Sequence, residues 1–262
     1  MNKRKIMLVA SALLMVAILG FGGTLAYLTD TDNAKNVFTV GNVQIEQKET
    51  DNNGQPFEQN QTIMPIINAG DKYNDPNYVW KNVTVKNTGK SAAYVRTFIA
   101  IPMGGKNHDN NASNNWLHWN GYAADDATPV NSWYWGTEDN QIMWPGNNPG
   151  WNTYMTTIDG INYMVYVATH TTALAGSPTG EGDETAPCLR GFFLDSSVDN
   201  EWVNGELNYF YYADGEKVSL GDISNLKIYV ATQACQAEGF ENAWVALDAS
   251  FGPANEFVFT AN

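Results

Sequence analysis

Residues 79–101 read VWKNVTVKNTGKSAAYVRTFIAI and contain the two clearest strand patterns in the chain. Residues 79–86 are rich in β-branched residues, and apolar and polar side chains alternate from Val83 to Lys86, as expected for a strand. Residues 93–101 form a more continuous apolar run that contains Arg96, for which we expect an ion pair with a carboxylate. The intervening NTGK supplies the glycine that a tight connection needs. The stretch therefore predicts two consecutive strands.

Similar but shorter runs flank this stretch and are separated by turn residues, at 43–46, 161–170, 188–194, 207–212 and 226–233. A short helix that contains Ala243 and Trp244 is expected after the last of them. We therefore predict an all-β, jelly-roll-like β-sandwich with one short C-terminal helix. Residues 37–262 form a single domain on this prediction, with a long aromatic-rich insertion at about 104–157.

The chain is strongly acidic, with 14 Lys and Arg against 28 Asp and Glu and a formal net charge of −14. This charge argues against nucleic acid or anionic lipid as a partner, although acidity also serves solubility. Residues 195–201 (DSSVDNE) gather oxygen donors that could hold calcium, but they lack the glycine and spacing of an EF-hand loop. A solvated turn is the alternative, and no other cofactor is indicated.

The N-terminus has the organisation of an export signal. Lys3, Arg4 and Lys5 precede an apolar run over residues 6–21, which is shorter than the roughly 20 residues of a membrane-spanning helix. Small residues follow, and we place the cleavage after Ala26, which leaves Tyr27 as the new N-terminus. An uncleaved anchor is the alternative. We therefore predict a secreted protein without membrane attachment after cleavage; its location in the extracellular matrix or at the cell surface follows only from the resemblance described below.

The insertion holds six of the nine tryptophans, namely Trp116, Trp119, Trp133, Trp135, Trp144 and Trp151. Indole rings can order a long connection by forming a satellite core beneath it. Exposed rings could instead form a contact surface, since Trp stacks on sugar rings and anchors protein interfaces. We favour the satellite core and keep the contact surface as an alternative.

The sequence contains no recognisable catalytic or metal-binding motif. His-Glu-x-x-His does not occur, and His108, His118 and His170 are far apart along the chain. Neither Cys188 nor Cys235 lies in a catalytic signature, and Gly-x-Ser-x-Gly is missing. Export would permit one disulfide between the two cysteines, but the sequence leaves open whether they meet. We predict no catalytic residues and no metal or cofactor ligands.

Residues 22–30 (GGTLAYLTD) and 36–41 (NVFTVG) resemble the N-terminal pattern of the TasA/camelysin family, exported proteins of Gram-positive bacteria. In that pattern, Gly-Gly-Thr-x-Ala-aromatic-x-x-Asp precedes Phe-x-x-Gly and an alternating strand. Residues 79–101 and 226–252 are similar to later parts of such proteins. The resemblance implies cleavage after Ala26 by a dedicated SipW-type signal peptidase.

TasA-like proteins build extracellular fibres of the biofilm matrix, in which the N-terminal segment of one subunit adds as a strand to the next. The resemblance implies that residues 27–36, which begin Tyr27-Leu28-Thr29-Asp30-Thr31, are flexible in the monomer and form this donor strand. The implied partners are other copies of the chain, with glycans or other matrix proteins. The alternatives are an adhesin or glycan-binding module that uses the insertion and, less favoured, a camelysin-like metalloprotease.

Overall fold

The computed structural model describes residues 37–40, 43–58, 63–104, 115–121, 132–143, 151–221, 223 and 227–259. The strands are β1 (Val37–Val40), β2 (Ile45–Thr50), β3 (Val79–Asn87), β4 (Ala93–Pro102), β5 (Leu117–Asn120), β6 (Trp133–Tyr134), β7 (Thr153–Ile158), β8 (Ile161–Leu174), β9 (Leu189–Leu194), β10 (Asp199–Val203), β11 (Glu206–Ala213), β12 (Glu216–Gly221) and β13 (Tyr229–Gln236). One α-helix, α1 (Ala243–Phe251), follows β13, and 3-10 turns lie at Ala69–Asn74 and Ala254–Glu256. The predicted all-β sandwich with one short C-terminal helix is confirmed.

The described strands form three sheets. Sheet A has the order β1-β13-β4-β8-β6, with β7 also paired to β8, and sheet B has the order β2-β3-β9-β5. Sheet C consists of β10, β11 and β12. Neighbouring strands are antiparallel, except that β1 runs parallel to β13 at the end of sheet A.

The main core lies between sheets A and B. Burial alternates along β3, so that Val79, Lys81, Val83, Val85 and Asn87 are buried and the residues between them are half-buried. The three valines belong to the main core. Strand β4 is buried on both faces, because Ile99 packs in the main core while Phe98 packs in a second cluster with the C-terminal residues. Helix α1 and the chain after it therefore cover the outer face of sheet A.

The two strands predicted at residues 79–101 are present, but they do not form a hairpin. Strand β3 belongs to sheet B and β4 to sheet A, so the connection crosses between the sheets. Asn87 fixes this crossing, because its Nδ2 donates to the carbonyl oxygens of Ser91 and Leu174 at 2.8 and 2.9 Å. Gly89 passes so close to β2 that a Cβ there would lie 2.8 Å from Gln44 N. A residue with a side chain at position 89 would therefore clash, so the glycine allows the two chain segments to approach closely.

Paired left-handed residues form the tight turns of the antiparallel strands. Asp159 and Gly160 between β7 and β8 have φ values of 51° and 80°, which a two-residue hairpin of type I′ requires. The Asn-Gly and Asp-Gly pairs at 204–205 and 214–215 have the same sign of φ and join the strands of sheet C. The turn residues expected between the strand patterns thus include these tight hairpin turns.

The insertion is integrated into both main sheets. Strand β5 pairs with β9 in sheet B, while β6 and β7 pair with β8 in sheet A. In the described part of the chain, no helix is long and apolar enough to cross a membrane.

Candidate functional sites

The first candidate site is the edge of sheet A that β1 forms. Strand β1 pairs with β13 in parallel register, from Val37 opposite Thr232 to Val40 opposite Cys235. Among the described strands, β13 is the only neighbour of β1 in its sheet, so β1 is the edge strand of sheet A as far as the described residues go. The predicted cleavage junction at Ala26 and Tyr27 and the predicted donor strand, residues 27–36, lie outside the described residues. The chain that would be freed by cleavage thus leads directly into an edge strand.

The insertion tryptophans differ in exposure. Trp116, Trp133 and Trp135 are buried and belong to the main core, whereas Trp119 and Trp151 are half-buried. Trp144 lies outside the described residues. Two of the buried indole nitrogens donate hydrogen bonds to backbone carbonyls. Nε1 of Trp116 donates to Gly104 O at 2.7 Å, and Nε1 of Trp133 donates to Ala186 O at 2.8 Å. These rings stabilise the fold, and of the described insertion tryptophans only Trp151 lines the open cleft described next.

The second candidate site is a cleft of about 450 Å³ between the insertion and the C-terminal segment. Its base contains Arg96 of β4 and Thr169 of β8, which are partners in the strand register of sheet A. The remaining lining residues come from the insertion and from helix α1 with the turn after it: Thr137, Glu138, Asp139, Trp151, Asn152, Thr153, Trp244, Leu247, Asp248, Pro253, Ala254 and Asn255. The cleft is therefore assembled from four distant parts of the chain.

Arg96 holds the base of the cleft together. Its Nε donates to Gln233 Oε1 at 2.6 Å, one terminal nitrogen to Asp248 Oδ1 at 2.5 Å and the other to Gly252 O at 2.8 Å. Burial lowers the pKa of the guanidinium, and the adjacent Asp248 opposes that shift. The ion pair expected for Arg96 is confirmed. Because each of its nitrogens already has a partner, Arg96 has little capacity left for an anionic ligand.

The cleft combines aromatic rings with negatively charged groups. Trp151 is half-buried, and Trp244 is buried with an Nε1 that has no hydrogen-bond partner in the described structure. Glu138 and Asp139 are exposed on the insertion side, where Asn242 Nδ2 donates to Glu138 Oε1 at 2.6 Å. The carboxylates of Glu138, Asp139 and Asp248 line the cleft together with the single guanidinium of Arg96, which is paired with Asp248. The arrangement suits neutral or cationic ligands that carry hydroxyl groups.

The histidines in the described structure do not form a metal site. The ring of His118 donates to Asp195 Oδ2 at 3.1 Å in sheet B, and this bond holds the pKa of Asp195 at about 2. His170 lies in sheet A, where its Nδ1 is 2.7 Å from Thr172 O and burial lowers its pKa. His108 lies outside the described residues. Within the described ranges, no three His, Cys, Asp or Glu side chains are grouped to hold a metal ion, so the residues present there do not fit a catalytic zinc.

The oxygen-rich stretch 195–201 distributes its carboxylates among separate partners. Asp195 binds His118 and the backbone N–H of Ser197. Glu201, on β10, pairs with Lys217 of β12 at 2.6 Å. The carboxylates that the sequence suggested as calcium ligands are thus engaged in bonds within the protein.

The disulfide considered from the sequence is not formed, because Cys188 and Cys235 are both free and buried. Cys188 packs in the main core, whereas Cys235 packs with the helix residues Ala243, Ala246 and Leu247 in another cluster. The thiols thus lie on different faces of sheet A. Burial raises the pKa of Cys188 to about 12.

Sequence reasoning missed the residues that form the cleft with Trp151. Glu138, Asp139 and Asp248 are ordinary exposed acids, and Trp244 was expected only as part of a helix. The only local signal was Arg96, a charged residue within an apolar strand, which indicated that a carboxylate would come to it.

Comparison with known proteins bears on the N-terminal part of the chain. The model of the camelysin metallo-endopeptidase family matches residues 1–74. The matched part includes the predicted cleavage junction, residues 27–36, β1 and β2, and it confirms the resemblance to the TasA/camelysin family there. Neither the curated proteins nor the solved structures compared with the chain gave a match.

Proposed function

We propose that the chain is an exported structural protein whose cleaved form assembles into extracellular fibres of a biofilm matrix. The observation that carries this proposal is the connection between residues 27–36 and β1, a four-residue strand at the edge of sheet A. An unpaired edge presents free backbone groups to which an extended segment of another copy can bond. The family match supports the proposal because it spans both the junction and the strand.

The composition of residues 27–36 fits a donor that orders only upon binding. The segment reads YLTDTDNAKN, and its many polar residues make it a weak strand former in isolation. While the apolar run before it remains attached, the segment has no free end. Cleavage after Ala26 by a SipW-type signal peptidase would therefore convert a precursor into an assembling subunit.

Polymerisation of two purified forms tests the donor-strand mechanism. One form begins at Tyr27 and the other lacks residues 27–36. Light scattering monitors polymerisation, and we expect fibres from the first form only. An excess of a synthetic peptide of residues 27–36 should shorten these fibres, because it occupies the acceptor edge. Equal polymerisation of the two forms would rule the mechanism out.

The cleft favours a second candidate function, the binding of saccharides at the cell surface. Indole rings with nearby carboxylates and amides are the groups that stack on and hydrogen-bond to sugars, and Trp151, Asp139 and Asn152 provide all three. The excess of carboxylates over Arg96 favours neutral or amine-bearing sugars over acidic ones.

A comparison of Trp151→Ala with Trp202→Ala tests the saccharide site. Trp202 is 74% exposed on sheet C and is not among the cleft residues, so it is a matched control for an accessible indole. With neutral, amine-bearing and uronic-acid oligosaccharides as probes, Trp151→Ala should weaken binding of the first two at least tenfold and Trp202→Ala should not. The absence of binding to all three probes, or an equal effect of both substitutions, would remove this candidate.

A further inference from the structure

An ion pair is buried between β2 and β3. Lys81 Nζ lies 2.7 Å from Glu49 Oε2, and the two side chains are 1% and 17% exposed. Lys81 occupies an inward position of β3, between the core residues Val79 and Val83. The ring of Phe57 lies beside it, with Nζ 4.7 Å from the ring centroid. The amine is thus held against one carboxylate in a site that largely excludes water.

A chain of hydrogen bonds orients the other oxygen of this carboxylate. Gln47 Nε2 donates to Glu49 Oε1 at 3.1 Å, and Gln47 Oε1 accepts a bond of 2.8 Å from Thr232 Oγ1. The hydroxyl of Thr97 lies 3.0 Å from that of Thr232, which completes a line of polar groups from sheet A into sheet B. Because the Glu49 carboxylate can only accept, the Gln47 amide N–H groups face Glu49, and Gln47 Oε1 is left to accept from the Thr232 hydroxyl.

Burial favours the neutral amine of Lys81. Charged partners lose their hydration when they are buried, and the loss often exceeds what their mutual attraction returns. Burial lowers the pKa of the Lys81 ammonium, although Glu49 opposes the shift. Transfer of one proton from Nζ to Oε2 gives an amine and a carboxylic acid, and a desolvated neutral lysine is a nucleophile.

We propose that Lys81 and Glu49 condense to an isopeptide bond that joins β2 covalently to β3. After the proton transfer, Nζ attacks Cδ of Glu49, and the negative charge that develops on Oε1 is stabilised by Gln47 Nε2. A second proton passes from Nζ to Oε2, the bond between Cδ and Oε2 breaks, and one water molecule leaves. The product is an amide with no oxidation or reduction, and it replaces two buried charges by a neutral group.

The bond would close residues 49–81 into a ring. It would also link β2, the strand that follows β1 in the chain, covalently to its neighbour β3 in sheet B. Glu49 retains some exposure, which gives the released water a path to solvent. The inference goes beyond the proposed function and does not depend on it, because the reaction needs only the folded chain.

Mass spectrometry of the denatured, trypsin-digested protein tests the proposal. We expect a peptide of residues 49–72 joined to a peptide of residues 73–86, with no cleavage after Lys81 and with the mass of one water lost. Lys81→Met should abolish the joined species. Lys48→Met is the matched control, because Lys48 also lies 2.7 Å from a carboxylate, that of Glu184, but both side chains are about one third exposed. This variant loses the tryptic site after Lys48, so it should keep the link in a joined species of residues 36–72 and 73–86.

Gln47→Leu tests the positioning role of the amide, and it should slow the appearance of the linked species at least tenfold in a time course after refolding. The wild-type protein decides the proposal without relying on the variants. The proposal is overturned if, after prolonged incubation of the folded wild type, the two peptides are separate and trypsin cleaves after Lys81. The intact protein would then have the mass calculated from its sequence, with no water lost.

Discussion

Asp195 is a carboxylate whose ionised form the fold stabilises. The hydrogen bond from His118 is the main cause that lowers its pKa from 3.8 to about 2, and burial works against it. A carboxylate with a lowered pKa in the folded state adds stability above its unfolded pKa, and it loses that contribution as the pH falls through the folded pKa. The contribution of Asp195 is therefore complete above about pH 4 and disappears toward pH 2.

Asp195→Asn should lower the free energy of unfolding at neutral pH by on the order of 1 kcal/mol, after allowance for solvent screening. The difference from wild type should close between about pH 4 and pH 2, as measured by urea unfolding at a series of pH values. His118→Phe removes the donor while it keeps a ring against Phe193, whose centroid lies 4.8 Å from that of His118. This second variant should give the same pH profile, and a gap that persists at pH 2 would contradict the assignment.

At the residue scale, the sequence showed that a charged side chain in a strand requires an oppositely charged partner, but it did not show which residue that partner is. A charged Arg96 within an apolar strand requires a carboxylate, and that expectation was met. The partner, Asp248, is 152 positions away, and no local pattern distinguishes it from the other acids of the chain. The same holds for Lys81: a period of two places it on the same face as Val79, Val83 and Val85, but no local signal identifies Glu49 as its partner.

At the element scale, helix α1 depends on the cap at its first turn. Asn242 Oδ1 accepts from Val245 N at 3.0 Å, and its Nδ2 donates to Glu138 in the insertion. The residue therefore starts the helix and also ties it to the opposite wall of the cleft. Helix N-caps of this kind stabilise by about 1 kcal/mol.

Asn242→Ala should destabilise the protein by about 1 to 2 kcal/mol, because both bonds are lost. Asn242→Ser keeps the acceptor for Val245 and removes the donor to Glu138, so it should cost less than half as much. Thermal and urea unfolding of the two variants measure the difference. Equal losses for the two variants would show that the cap contributes nothing.

Strands and hairpin turns were predictable because their signals are local. The period of two in β3 and the Asp-Gly pairs specify geometry within a few residues. The assignment of β3 and β4 to different sheets was not predictable, since the turn between them is compatible with either a hairpin or a crossing. The position of β5, β6 and β7 in the two sheets depends on pairing with β8 and β9, which the sequence of the insertion does not encode.

At the scale of the whole molecule, donor-strand assembly requires a sheet edge on one copy and residues 27–36 of another copy. The formal charge, −14 for the whole chain and more negative once Lys3, Arg4 and Lys5 are removed by cleavage, opposes close approach of identical subunits. Salt screens such repulsion over a distance of about 10 Å at ~0.1 M. Fibre growth should therefore accelerate with ionic strength if backbone pairing drives it, and nucleation at low salt should be slow.

The most direct test of the central claim is electron microscopy of fibres grown from the form that begins at Tyr27, at a resolution that traces the chain. If the fibres assemble by donor-strand exchange, residues 27–36 of each subunit should lie as an extended strand on a sheet edge of its neighbour. Fibres in which this segment makes no contact with the next subunit, or dispersed monomers at high salt and concentration, would contradict it.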